Sequence, residues 1–221
     1  MSKQANAKSK APKIQEKKTP GLAASNMTGT GPGGLSVRAF AEWYRDRELE
    51  QWERFDYAAL EKIAKAIEKV EKSGKTIFVM GNGGSAATAS HIATDWSKTA
   101  ERVNKPLIRC ISLNDNTAFM TAIGNDLGYD EIFARQLRNL CGKGDLVVII
   151  SGSGNSLSVL KANDYAKSVG ATTVGLTGFT GGKLRKEVDI CFHVESDQYG
   201  VIEDMHMAAG SILAFYLKQR K

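Results

Sequence analysis

The order of apolar runs in this chain predicts an α/β fold: a three-layer, doubly wound, five-stranded parallel sheet with an N-terminal helical segment. Three observations carry that expectation. Short apolar runs alternate with helical stretches from residue 76 onward. Each run is apolar throughout, not only at every second position, as in a strand covered on both faces. Glycine-rich turns directly follow the first and third runs, where folds of this class bind their ligands.

Residues 1–34 read as a disordered basic tail, and residues 35–221 as one domain that includes the N-terminal helices. The tail is rich in Gly, Ser, Thr and Ala, and its large apolar residues (Ile14, Leu22, Met27) are isolated, so it has no surface to bury against its ordering entropy. Residues 37–73 predict one or two helices. Phe40, Tyr44, Leu49, Trp52 and Phe55 recur at helical spacing, and Leu60, Ile63, Ile67 and Val70 form a 3.6-period stripe that Ser73-Gly74 ends. The aromatic stripe is a packing face, and it is rich enough to serve as an oligomer interface.

The first strand is Thr76–Met80, followed by a helix over about 85–97. The second is Leu107–Leu113, followed by helices near 118–124 and 129–140. The third is Asp145–Ile150, followed by a loop and a helix to about Ser168. Thr172–Leu176 and Ile190–Val194 complete the sheet, and a final helix covers about 201–217.

Composition removes several classes of function. With 42% apolar and 24% charged residues the chain is neither fibrous nor wholly disordered. Its longest strongly apolar run, Leu146–Ile150, is too short to cross a bilayer, and the first thirty residues hold no apolar leader. No membrane partner is expected. Cys110, Cys141 and Cys191 are odd in number and lack CxxC spacing, which points to a reducing cytoplasm. The net charge of +6 belongs to the tail, where six lysines face one glutamate; the remaining 24 basic and 23 acidic residues nearly balance. Nucleic acid is therefore not an expected partner.

The chemistry concentrates in two loops. Gly81-Asn82-Gly83-Gly84-Ser85 follows the first strand, and Ser151-Gly152-Ser153-Gly154-Asn155-Ser156 follows the third. Glycines admit an anion close to the backbone, while helix-start N–H groups and serine hydroxyls supply donors for phosphate. Neither loop carries the lysine of a Walker P-loop. Gly81, Gly83 and Ala86 fit a loose dinucleotide pattern, but the ribose-binding acid would fall near Glu101, before the second strand and not at its end. No nucleotide cofactor is expected.

These loops, with Ser90-His-Ile-Ala-Thr-Asp95, residues 124–137 (GNDLGYDEIFARQL), residues 176–184 (LTGFTGGKL) and Ile202-Glu-Asp-Met-His-Met207, resemble the sugar isomerase (SIS) domain family in order and spacing. Within it the chain is most similar to the phosphoheptose isomerases, which convert sedoheptulose 7-phosphate to an aldose through an enediol. The resemblance implies phosphate binding by Ser151, Ser153, Asn155 and Ser156, with Gly83, Gly84 and Ser85 contributing from the first loop. Asn82, Asp115 and Asn116 would meet the sugar hydroxyls; the plainer alternative for Asp115 is a helix N-cap. The resemblance also implies a homotetramer whose sites are completed by neighbouring subunits.

The catalytic positions depart from the family pattern. The family has a glutamate one turn after a histidine on the first helix after the sheet begins; here the pair is His91 and Asp95. On the last helix, Glu203 replaces a glutamine and Ser211 replaces a histidine. Isomerisation needs a base for the carbon-bound proton, so Asp95 and Glu203 are the candidate catalytic residues. Some relatives bind zinc or another divalent metal there, and His91, Asp95 and Glu203 would be the corresponding nitrogen/oxygen ligands. Glu203 and His206 also have the Glu-x-x-His spacing of bundle metal sites, with His206 as a packed core residue the plain alternative. His193, inside a strand, reads as structural. The leading expectation is a phosphosugar isomerase. The second is a non-catalytic phosphosugar-binding module like the regulators of replication initiation that share this fold.

Overall fold

A computed structural model describes residues 31–220. The predicted tail thus lies outside the described residues, except for 31–34.

The N-terminal helical stretch is two helices, α1 (Val37–Glu53) and α2 (Tyr57–Ser73). Asp56 divides them: its carboxylate caps α2 by accepting from the Ala59 N–H at 2.8 Å. Gly74, at φ +64, ends α2 in the left-handed conformation that favours glycine. Along the aromatic stripe Trp52 stacks on Phe55, and Phe55 packs against Phe192 of the sheet with ring centroids 5.0 Å apart.

Five parallel strands follow: β1 (Thr76–Gly81), β2 (Arg109–Ser112), β3 (Leu146–Ser151), β4 (Thr172–Thr177) and β5 (Ile190–His193), in the order β2-β1-β3-β4-β5. Between them lie α3 (Gly84–Thr94), α4 (Thr117–Asp126), α5 (Ala134–Leu140), α6 (Leu157–Ser168) and the short α7 (Leu184–Glu187), and α8 (Tyr199–Gln219) closes the chain. Alternate residues of the central strands enter two separate cores. Ile77, Val79, Val148 and Ile150 pack with α2, α3 and α8, whereas Phe78, Met80, Val147 and Ile149 pack with α4, α5 and α6. This is the three-layer sandwich that continuous apolar strands require. The edge strand β2, by contrast, stays largely exposed.

Three local details depart from the periodicity. The helix expected over 85–97 ends at Thr94 and continues as a π turn, Asp95–Thr99. The stretch 129–140 divides into a 3-10 turn (Tyr129–Glu131) and α5. The short α7 has no signature in the sequence, because four residues cannot display a helical period.

Candidate active site

The strand order reverses between β1 and β3, and a ligand crevice belongs at that switch point. The register pairs Gly81 with Ile150, so the loops after these strands leave the sheet side by side. Gly83 lies at φ +57 and starts α3 with no side-chain cap. Ser156 likewise stands at the N-cap of α6 without spending its hydroxyl on the cap. Two helix starts with uncapped N–H groups therefore flank one pocket, a ready arrangement for a phosphate.

That pocket holds about 180 Å³ and is lined by Asn82, Ser85, Ser151, Gly152, Ser153 and Ser156 from the two loops. Tyr199, Ile202 and Glu203 of α8 and Ile150 of β3 complete it. The serine loop is itself held by residues 178–184. Gly178 N–H donates to Gly152 O at 2.9 Å, Leu184 N–H to Gly154 O at 3.0 Å, and Lys183 N–H to the Asn155 Oδ1 at 3.1 Å. Gly154, at φ +62, lies so near Gly181 that a Cβ would stand 2.6 Å from the Gly181 carbonyl carbon. Asn155 thus braces the loop and is not among the residues lining the pocket. The Asn82 amide donates to Ser158 Oγ at 2.9 Å and accepts from Tyr129 Oη, also at 2.9 Å.

Among the described residues, Glu203 is the only acid in the lining. A Cβ on Gly84 would stand 2.6 Å from its carboxyl carbon, so the carboxylate lies against the first turn of α3 in the space that glycine leaves open. Burial, and then the charge of Asp204, raise the Glu203 pKa above the usual carboxylate range. Asp204 in turn accepts from Tyr44 Oη at 2.5 Å, which ties α8 to α1. Gly200 permits that contact, since a Cβ there would meet the Tyr44 ring at 3.1 Å.

The other predicted residues sit elsewhere in the chain. Asp95 pairs with His91 at 3.2 Å and accepts from Thr99 Oγ1 at 3.0 Å, and it does not line the serine pocket. Asp115 accepts from Ser90 Oγ at 2.5 Å, and Asn116, not Asp115, is the N-cap of α4. Both face a separate open cleft beside the edge strand β2. Among the described residues no group of three or more His, Cys, Asp and Glu could hold a metal ion. His91, Asp95 and Glu203 are therefore not assembled as a ligand set among the described residues of one chain. His206 is fully buried, with Nε2 at 3.1 Å from Thr177 O, so it is a packed core residue. His193 Nδ1 meets Thr177 Oγ1 at 2.9 Å, which fits a structural role. The one signal for Tyr199 in the sequence is its place four residues before Glu203, on the same helical face.

A doubly wound sheet with two glycine- and serine-bearing loops at its switch point places the chain among the ligand-binding α/β domains. The chain belongs to the SIS domain family, which it matches over residues 44–178. Its curated relatives there include the phosphoheptose isomerases of Thermodesulfovibrio yellowstonii, 40% identical over 76% of this chain and 83% of that protein, and of Helicobacter pylori, 45% identical over 66% and 76%. Among solved structures, the phosphoheptose isomerase of Neisseria gonorrhoeae superposes with a TM-score of 0.75 at 28% identity, covering 83% of this chain and 98% of that one. No helix among the described residues is long and apolar enough to cross a membrane.

Proposed function

We propose that this protein is a cytoplasmic aldose–ketose isomerase of the phosphoheptose type, acting on sedoheptulose 7-phosphate or a close analogue. The observation that carries the reading is the Glu203 carboxylate facing the same pocket as the two phosphate-cradling loops. With the phosphate at Ser85, Ser153 and Ser156, the carbonyl end of an open-chain sugar reaches toward α8. Glu203 takes the proton from C1, the pair left by the C1–H bond forms a C1=C2 double bond, and the carbonyl π pair moves to the C2 oxygen, giving an enediolate. Return of that proton to C2, with the O1 proton moving to O2, gives the aldose. A carboxylate with a raised pKa suits this exchange, because it accepts and returns a proton at similar cost.

The described chain does not bring Asp95 into this pocket, so its part in the reaction is proposed to come through assembly. In a homotetramer the half-exposed His91 and its Asp95 partner would reach the site of a neighbouring subunit. Exposed Leu49 and Trp52 on α1, and Ile212, Phe215 and Tyr216 on α8, supply apolar surface for such contacts.

A second reading, a phosphosugar-binding module without turnover, is favoured by Ser211 at the family's second histidine position, since a hydroxyl is a poor proton donor near neutral pH. An NMR assay of the purified protein with sedoheptulose 7-phosphate, with and without added zinc, separates the two. Aldose signals establish the isomerase. Binding with no product in either condition establishes the module.

A further inference from the structure

One wall of the pocket has no role in the proton transfer just described. Tyr199 opens α8, is 52% exposed, and lines the pocket one helical turn before Glu203. Its ring meets Phe179 edge-on, with centroids 4.6 Å apart and planes at 70°. Phe179 itself has φ +48, a left-handed conformation that a bulky side chain rarely adopts. Its backbone is held there because its N–H donates to Ser196 O at 3.0 Å while the preceding Gly178 N–H donates to Gly152 O. The Phe179 ring in turn lies 3.5 Å from where a Cβ on Gly152 would be, directly over the serine loop. Backbone strain that is held in place next to a ligand loop is commonly part of the site's function.

We propose that Tyr199, braced by Phe179, is a specificity-determining residue that presents its ring to the carbon chain of the sugar phosphate. This rests on the isomerase reading and adds which substrates it favours. Tyr199 lines the same pocket as the serine loop and Glu203, so its ring is placed to meet the carbons that join the phosphate to the reacting end. A sugar chain offers a row of C–H groups there, and an aromatic face covers such a surface without needing hydrogen-bond partners. A seven-carbon sugar phosphate reaches the ring, whereas a three-carbon phosphate held at the serine loop has little chain to lay against it. Edge-on packing against Phe179 fixes the ring where it lines the pocket.

Calorimetric titration of wild type, Tyr199→Ala and Tyr199→Phe with sedoheptulose 7-phosphate and with glycerol 3-phosphate tests this. Tyr199→Ala is expected to weaken the seven-carbon ligand by about tenfold or more, in the range of one lost aromatic contact, while the three-carbon ligand changes by less than about twofold. Tyr199→Phe is expected to keep both affinities within about twofold, because the ring and not the hydroxyl makes the contact. Equal losses for the two ligands in Tyr199→Ala, or no loss, would overturn the proposal. So would a Tyr199→Phe loss as large as that of Tyr199→Ala. Melting curves of the variants accompany the titrations; near-native curves exclude collapse of the serine loop as the source of a loss. Wild type that binds neither phosphate defeats the isomerase reading together with this one, whereas normal wild-type binding with an unaffected Tyr199→Ala defeats this one alone.

Discussion

Glu203 combines two properties expected of the proposed base: it lines the pocket of the two serine-bearing loops, and burial and Asp204 lift its pKa. Its like-charged neighbour is thus the adjacent residue of its own helix. Glu203→Gln should lower isomerase turnover by at least about a hundredfold, the usual scale of acid–base contributions, with sugar-phosphate affinity retained. Steady-state kinetics beside calorimetry checks this. The base works ionised, so turnover should rise with pH through a limb above the ordinary carboxylate range. Removing the neighbouring charge by Asp204→Asn should move that limb to lower pH. A limb that stays in place would mean that Asp204 does not govern the base.

His206 makes a second prediction at this scale. Its Nε2–H donates to Thr177 O, and its buried Nδ1 has no partner, so a second proton there would find no acceptor. Burial pushes its pKa down to about 4. The unfolded chain takes up this proton below about 6.5, whereas the folded chain resists until about 4. Stability that is present above 6.5 is therefore lost as the pH falls through that window. The amount is on the order of 3 kcal/mol. Denaturant melts of wild type and His206→Gln across this range should show a shallower pH slope for the variant.

Among the elements, α3 shows how a helix start can be shaped by a residue from the other end of the chain. Gly84 is a poor choice for a helix on propensity alone, and an alanine there would help the helix. It is glycine because the Glu203 carboxylate occupies the space of its side chain. Gly84→Ala should therefore leave the melting temperature near wild type, since the flexible end of a glutamate can swing away, yet cut turnover by tenfold or more. A clear drop in melting temperature with full activity would contradict this. The π turn at Asp95–Thr99 has a similar character: it holds Asp95 against His91 and Thr99, and no helical period in the sequence announces it.

At the scale of the whole molecule, one buried carboxylate joins three distant segments. Glu71 on α2 pairs with Arg102 at 2.6 Å, after the π turn, and with Arg220 at 2.8 Å, past the end of α8. Arg220 also reaches Glu68 at 3.3 Å. Removing one partner of such a network strands the other charges away from water, so Glu71→Ala should cost about 3–5 kcal/mol in denaturant unfolding. Assembly is the other property proposed at this scale. Leu49 and Trp52 of α1 and Ile212, Phe215 and Tyr216 of α8 are exposed and would supply its contacts, and light scattering at micromolar concentration should give a mass near four chains. A monomer would remove the proposed route for Asp95 into a neighbouring site.

The sequence by itself determined the sheet. Five continuous apolar runs could be satisfied only by layers on both faces, and the glycine-serine turns after β1 and β3 marked the loops of the proposed site, because backbone conformation and hydrophobic period are local properties. It also carried the substitutions at 95, 203 and 211, which any reading of the site must meet. Only the tertiary structure decided which of those residues share a pocket. Glu203 joins the serine loops because α8 packs across α3 at Gly84, whereas Asp95 is drawn into a π turn and Asp115 into the β2 cleft. Asn155 accepts from the Lys183 N–H and so helps to hold the loop, and Tyr199 forms a wall of the pocket. These placements depend on contacts between residues up to about 120 positions apart, and no local pattern of residues encodes such a distance.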